Sequence, residues 1–312
     1  MNYFSKRYKV KFLKFGVSSM ENTLYVDIEK DPETIIKDIG YADSFIVAMN
    51  EDIYILYDYL PVLYKNESEN EYLKTLFKAL ELSYINRLYQ FAYIQLHMIF
   101  MVCIYYMLLK VNLVAPKDLE NALFYMIKDK NRVRDFYGTG NTRDNELYFG
   151  SFAVLGESDV FLLLKIAGVD SDLQGELKKL VEERNKYAHA NGNITITSQT
   201  TIDDKISKYV NTLERVHKLL RPLITGLYKK TLIDPDFSDA DNRLGYFDDN
   251  EQITEEFIKK HSLTANDLKI CRKFTISELS ELDGYEDMKN LHIALCKYYK
   301  GIRDDETIEC AS

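Results

Sequence analysis

The sequence predicts a mainly α fold, a helical bundle with a small N-terminal β-hairpin and a C-terminal helical appendage. Three observations lead there. Apolar residues recur at helical spacing over long stretches, as at Ile206, Val210, Leu213, Val216 and Leu220. Strand-like alternation is confined mainly to the first thirty residues. Four long helical patterns follow one another through short loops, which is the layout of a bundle. The divisions fall at residues 1–68 (hairpin and helices), 69–233 (bundle) and 234–312 (acidic linker and C-terminal helices).

The hairpin is expected over residues 7–28. Tyr8, Val10 and Phe12 alternate with Lys9 and Lys11, residues 16–22 break the run, and Leu24, Val26 and Ile28 alternate again. With Lys6, Arg7 and Lys14 this is the most basic stretch of the chain, suited to a solvated strand face or to contact with an RNA backbone. Asp31-Pro32 then starts a helix, Asp31 as N-cap and Pro32 in the first position. The pattern breaks near Gly40 and ends about Pro61.

Residues 71–111 form the longest helical pattern. Phe91 to Leu109 is nearly all apolar, which fits a membrane span by composition and equally fits the buried central helix of a bundle. Gln95 and His97 interrupt it and no second span exists, so the bundle reading is preferred. His97 is expected to be a core histidine with a hydrogen-bond partner. Pro116 opens a further helix to about Tyr137, with Leu119, Leu123, Met126 and Ile127 on one face and Lys128, Lys130, Arg132 and Arg134 in its last turns. Residues 158–167 make a short apolar helix, separated by Gly168 from one that starts near Asp170 or Ser171. Residues 201–231 make the last long bundle helix, with Pro222 inside it as a candidate kink. Residues 234–252 are acidic without calcium-loop spacing and read as a linker; two or three short helices occupy 253–302, and the end frays from Arg303.

Composition bounds the function. Hydrophobic residues at 46% and charged residues at 29% describe an ordinary globular chain. A net charge of −9 argues against a nucleic-acid coat protein, though a nuclease needs basic residues in only one cleft. The cysteines Cys103, Cys271, Cys296 and Cys310 lack metal-type spacing and read as reduced thiols. Residues 1–7 have no apolar core of the signal-peptide kind, so a cytoplasmic location is expected. No metal or cofactor is called for by any cluster of carboxylates, histidines or cysteines.

The chemistry-bearing stretch is Glu182-Glu183-Arg184-Asn185-Lys186-Tyr187-Ala188-His189-Ala190-Asn191-Gly192. Leu173, Leu177, Leu180 and Val181 carry a helix into it, and Asn191-Gly192 supplies a left-handed stop. Arg184 and His189 are five residues apart, about 140° around the helix axis. They meet only if Arg184 swings back or a second copy packs across a two-fold axis. Cations in a last helical turn also complement the helix dipole, which is the plain structural role for both.

Arg184, the polar Asn185 and His189 together make an Arg-polar-Xaa-Xaa-Xaa-His pattern that resembles the signature of the HEPN superfamily of helical-bundle proteins. The resemblance covers roughly Glu69 to Leu232. It implies a HEPN-like bundle, a homodimer whose cleft holds two motifs, and metal-independent cleavage of RNA in phage defence or as a toxin, with an antitoxin or defence-system partner. Arg184, Asn185 and His189 are then the catalytic residues. His189 is chemically suited to move a proton, Arg184 to hold phosphate oxygens, and Asn185 to orient either. The alternative implied by the same resemblance is an inactive scaffold that binds a nucleotide or a protein partner.

Overall fold

The computed structural model describes residues 50–126, 147–188, 195–243 and 247–303. The predicted hairpin at 7–28 and the helix starting at Asp31 lie outside them, as do Lys128 to Arg134 and His189. Among the described residues the protein is a helical bundle without a β-strand; an isolated antiparallel bridge joins Pro61 to Thr264.

The first described residues form a helical turn at Asp52–Ile55 that tightens to a 3₁₀ turn at Leu56–Tyr59, and Leu60 is extended just before Pro61. Helix α1 (Glu67–Ile85) begins at Asn66, whose side chain accepts a hydrogen bond from the Glu69 amide. Helix α2 (Tyr89–Val114) follows after three residues. The single helix expected over 71–111 is therefore two. Arg87 takes φ 60°, its amide donates to the Tyr84 carbonyl, and the Leu88 amide reaches back to the Ser83 carbonyl. That is a left-handed helix stop built without glycine, which hid it from the sequence.

Helix α2 is the axis of the bundle. It is packed against α1, against α5 (Ser171–Ala188) and along α6 (Gln199–Leu232). Its most apolar window is 83% buried. Leu96, Ile99, Phe100, Ile104 and Leu108 are sealed completely, each contributing roughly 1.5–3 kcal/mol of transfer free energy. Helix α2 is long and apolar enough to span a membrane; most of it is buried against its neighbours, while Phe91 and Met98 are exposed. Helices α3 (Pro116–Met126) and α4 (Glu157–Leu163) complete this half. A 3₁₀ turn, Leu164–Ala167, extends α4 to Gly168, which takes φ 90° at the separation expected there. Helix α6 passes Pro222 without interruption.

In the stretch read as a linker, Asp234 caps a turn at Pro235–Ser238, and Phe237, Ser238 and Arg243 are buried. A π-helical turn, Gln252–Lys259, leads to α7 (Ala265–Cys271) and α8 (Tyr285–Arg303). Both helices rest on the bundle. Helix α7 packs on α6 and on the Leu56–Tyr59 turn. The Tyr228 hydroxyl of α6 lies 2.9 Å from His292 Nδ1 of α8. Deepest of all, Lys110 of α2 pairs with Asp267 of α7 at 3.1 Å, and His217 of α6 reaches the same carboxylate at 2.8 Å. Among the cysteines expected to be reduced, Cys103 and Cys271 are free and buried. Cys296 departs from that expectation by being disulfide-bonded, and Cys310 lies outside the described residues.

Candidate active site

Helix α5 carries Arg184 and Asn185, and its own amphipathicity fixes how they are presented. Asp170 caps its start by accepting from the Leu173 amide at 2.8 Å. Leu173, Leu177, Leu180 and Val181 are then driven into the core. This rotation leaves Glu183, Arg184 and Asn185 half-buried at the rim of the bundle, where they meet α2, α4 and α6.

Arg184 turns toward α4 and pairs with Oε2 of Glu157, the first residue of that helix. The same oxygen lies 3.2 Å from Nε2 of His97, in the middle of α2. The other ring nitrogen, Nδ1, lies 2.8 Å from the Tyr209 hydroxyl of α6. His97 is thus the buried, partnered core histidine expected from the sequence. Tyr209 continues the chain to Tyr93 at 3.0 Å, and Tyr93 to Glu183 at 3.5 Å. Glu183 also takes Lys205 and, at 3.7 Å, Lys208. Two adjacent residues of α5, Glu183 and Arg184, are therefore joined through the core by a polar path across three other helices.

The charges along this path are set by it. Burial alone would raise the Glu157 carboxyl pKa, but the bonds from His97 and Arg184 outweigh it and hold it below the usual range. Glu183 is likewise lowered, with burial outweighed by Lys205 and then Lys208. Burial pushes Tyr93 and Tyr209 well up, so both hydroxyls keep their protons. Burial, with help from Glu157, pushes nearby Tyr105 up to about 12.

Beside the path an aromatic ledge forms. Tyr187 stands edge-on to Tyr93 with centroids 5.2 Å apart, and the Lys205 ammonium sits 5.4 Å above the Tyr93 ring. The Gln90 amide receives Thr195 N–H at 3.0 Å and donates to the Tyr187 carbonyl at 3.3 Å. A shallow depression lined by Lys179, Glu182, Glu183, Lys186 and Lys208 opens next to it. Among the described residues no group of three or more His, Cys, Asp or Glu side chains is placed to hold a metal ion.

Of the site residues expected from the sequence, Arg184 and Asn185 are thus located and His189 lies outside the described residues. Glu157, Glu183, Tyr93 and Tyr209 were not signalled by any spacing. Glu157 is a conventional first-turn acid by sequence, and only packing brings it to Arg184. In comparison with known proteins, no family model, no curated protein and no solved structure matches the chain.

Proposed function

We propose that the protein is a metal-independent endoribonuclease of the HEPN type, with Arg184, Asn185 and His189 as its catalytic residues. One observation carries this reading. Arg184 stands at the bundle rim near the end of α5, with its guanidinium oriented by Glu157 and Asn185 half-exposed beside it. An arginine so placed offers a planar fork of donors to a phosphate as negative charge builds up on its oxygens. His189 takes the proton from the RNA 2′-hydroxyl. The freed oxygen attacks the adjacent phosphorus, the bond to the 5′-oxygen breaks, and that oxygen leaves with the proton that His189 gives back. The products are a 2′,3′-cyclic phosphate and a 5′-hydroxyl end. The reaction needs the 2′-hydroxyl, so DNA is not a substrate. A homodimer that brings two motifs to one cleft, a cytoplasmic location and a role in phage defence or as a toxin belong to the same proposal.

A second reading is favoured by one feature. The Arg184 charge is already matched by Glu157, as suits an ion pair that holds α4 to α5 in an inactive scaffold, the kind that binds a nucleotide or a protein partner elsewhere on its surface. The deciding experiment is cleavage of single-stranded RNA in the presence of chelator, with an all-deoxy strand as control. Expected is chelator-resistant cleavage of RNA alone, abolished by Arg184→Ala and by His189→Ala in proteins that still melt cooperatively. Cleavage that requires added metal, or survives both substitutions, rejects the assignment. Absence of cleavage with retained nucleotide binding selects the scaffold.

A further inference from the structure

We infer that His97, buried in the centre of α2, is a positioning residue for Arg184, acting through Glu157. As an account of catalysis this rests on the ribonuclease reading; as an account of how Arg184 is held it stands on geometry alone. Glu157 is a flexible side chain on the first residue of a seven-residue helix. It presents one oxygen, Oε2, to both Arg184 and His97. A carboxylate accepts hydrogen bonds and donates none, so the His97 Nε2 that faces it carries the hydrogen. The ring cannot turn away. Tyr209 holds Nδ1 at 2.8 Å, and Phe100 and Tyr209 pack against the imidazole with centroids 6.2 and 5.8 Å away.

Rigidity thus passes outward from the core. His97 is 1% exposed, while the Glu157 and Arg184 side chains are 24% and 25% exposed. A half-exposed ion pair on two flexible side chains has many geometries of similar energy. A donor fixed in the core selects one of them. Outer partners orient the ligands of metal sites in the same manner, and their loss there costs roughly 10- to 100-fold.

The charged and titratable groups around this position are Glu157 from α4, Arg184 and Glu183 from α5, Tyr209 and Lys205 from α6, and Tyr93 and Tyr105 on α2 itself. Glu183 is served by Lys205 and Lys208, and among the described residues His97 and Arg184 are the donors to Glu157.

The test uses the full chain and two variants. Asparagine at this position mimics Nδ1 and cannot reach Glu157, whereas glutamine keeps an N–H donor where Nε2 stands. The first readout is the ¹⁵N–¹H spectrum of the Arg184 guanidinium, which shows separate signals when its rotation is hindered. Separate signals are expected in the wild type and in His97→Gln, and a collapse to averaged signals in His97→Asn. A second readout needs no variant: the wild-type imidazole spectrum should show hydrogen on Nε2, and hydrogen on Nδ1 alone overturns the inference. Unchanged Arg184 signals in a folded His97→Asn protein also overturn it. RNA cleavage on the same samples separates this inference from the reading beneath it. Expected is a fall of roughly 10- to 100-fold in kcat for His97→Asn with KM little changed, and recovery of most of the rate in His97→Gln. If Arg184 loosens but the wild type cleaves no RNA, the positioning role stands and the ribonuclease fails. If Arg184→Ala abolishes cleavage while His97→Asn cleaves normally, the ribonuclease stands and the positioning role fails.

Discussion

The Lys110 ammonium and the Asp267 carboxylate stand 3.1 Å apart with both side chains almost completely sealed from solvent. Each has further polar partners. Lys110 also donates to the Tyr106 carbonyl at 3.2 Å, and Asp267 accepts from His217 at 2.8 Å and from the Thr264 amide at 2.8 Å. Removing either partner strands a charge inside the protein. Lys110→Met is expected to cost about 3–5 kcal/mol, read from denaturant unfolding. The double variant Lys110→Met, Asp267→Asn should regain a large part of that loss. Full additivity of the two single losses would show that the pair does not act as a unit.

The same carboxylate makes the fold acid-sensitive. Burial alone would raise the Asp267 pKa, but Lys110, His217 and the Thr264 amide outweigh burial and hold it far below the usual range. A folded-state value below the unfolded one contributes stability above the unfolded pKa of about 4 and loses it as pH falls toward the folded value. Glu157 and Glu183 shift in the same direction. Thermal melting should therefore fall steadily below about pH 5 in the wild type. Asp267→Asn should start lower and lose less on acidification; a parallel slope would assign the acid limb to other groups.

At the candidate site, Arg184 and Glu157 should be coupled in stability as well as in geometry. Each single change, Arg184→Ala or Glu157→Gln, is expected to cost about 1–3 kcal/mol, because the half-buried partner loses a charged hydrogen bond. The double variant should cost less than the sum by at least ~0.5 kcal/mol. A strictly additive double variant would show that the contact contributes nothing in solution.

Two glycines should respond in opposite directions. Gly168 takes φ 90° and a Cβ there would meet nothing within 4 Å, so Gly168→Ala should cost about 1 kcal/mol from the backbone alone. Gly175 lies inside α5, also with open space at its Cβ, and Gly175→Ala should stabilise by about 0.5–1 kcal/mol. Melting temperatures of the two variants check both signs.

Much of the architecture was legible in the chain because the signals are local. Pro116, Gly168 and the apolar stripe of α6 mark helix ends and faces, and the residues do what their chemistry favours. The break between α1 and α2 was not legible, since Arg87 adopts a conformation that its sequence neighbourhood does not announce. For the candidate site, the pattern at Arg184 and Asn185 could be read and the expected partner of His97 exists. What could not be read is that these two findings concern one network. Glu157 lies 27 residues before Arg184 and 60 after His97 in sequence, and neither separation has a helical or strand period. The buried Lys110–Asp267 pair was hidden for the same reason, inside a run whose apolar character gave no hint of a distant acid.

The position of Asp267 also constrains how the molecule is made. Lys110 leaves the ribosome with the apolar centre of the bundle, while its counter-charge is encoded far downstream. At ~5–20 residues per second the nascent chain waits roughly 8–30 seconds before Asp267 is even synthesised. Through that interval α2 cannot bury its lysine without stranding a charge, so the bundle must remain loose or hold that helix partly wetted. The arrival of α7 is the step that lets α2 bury Lys110 against a counter-charge.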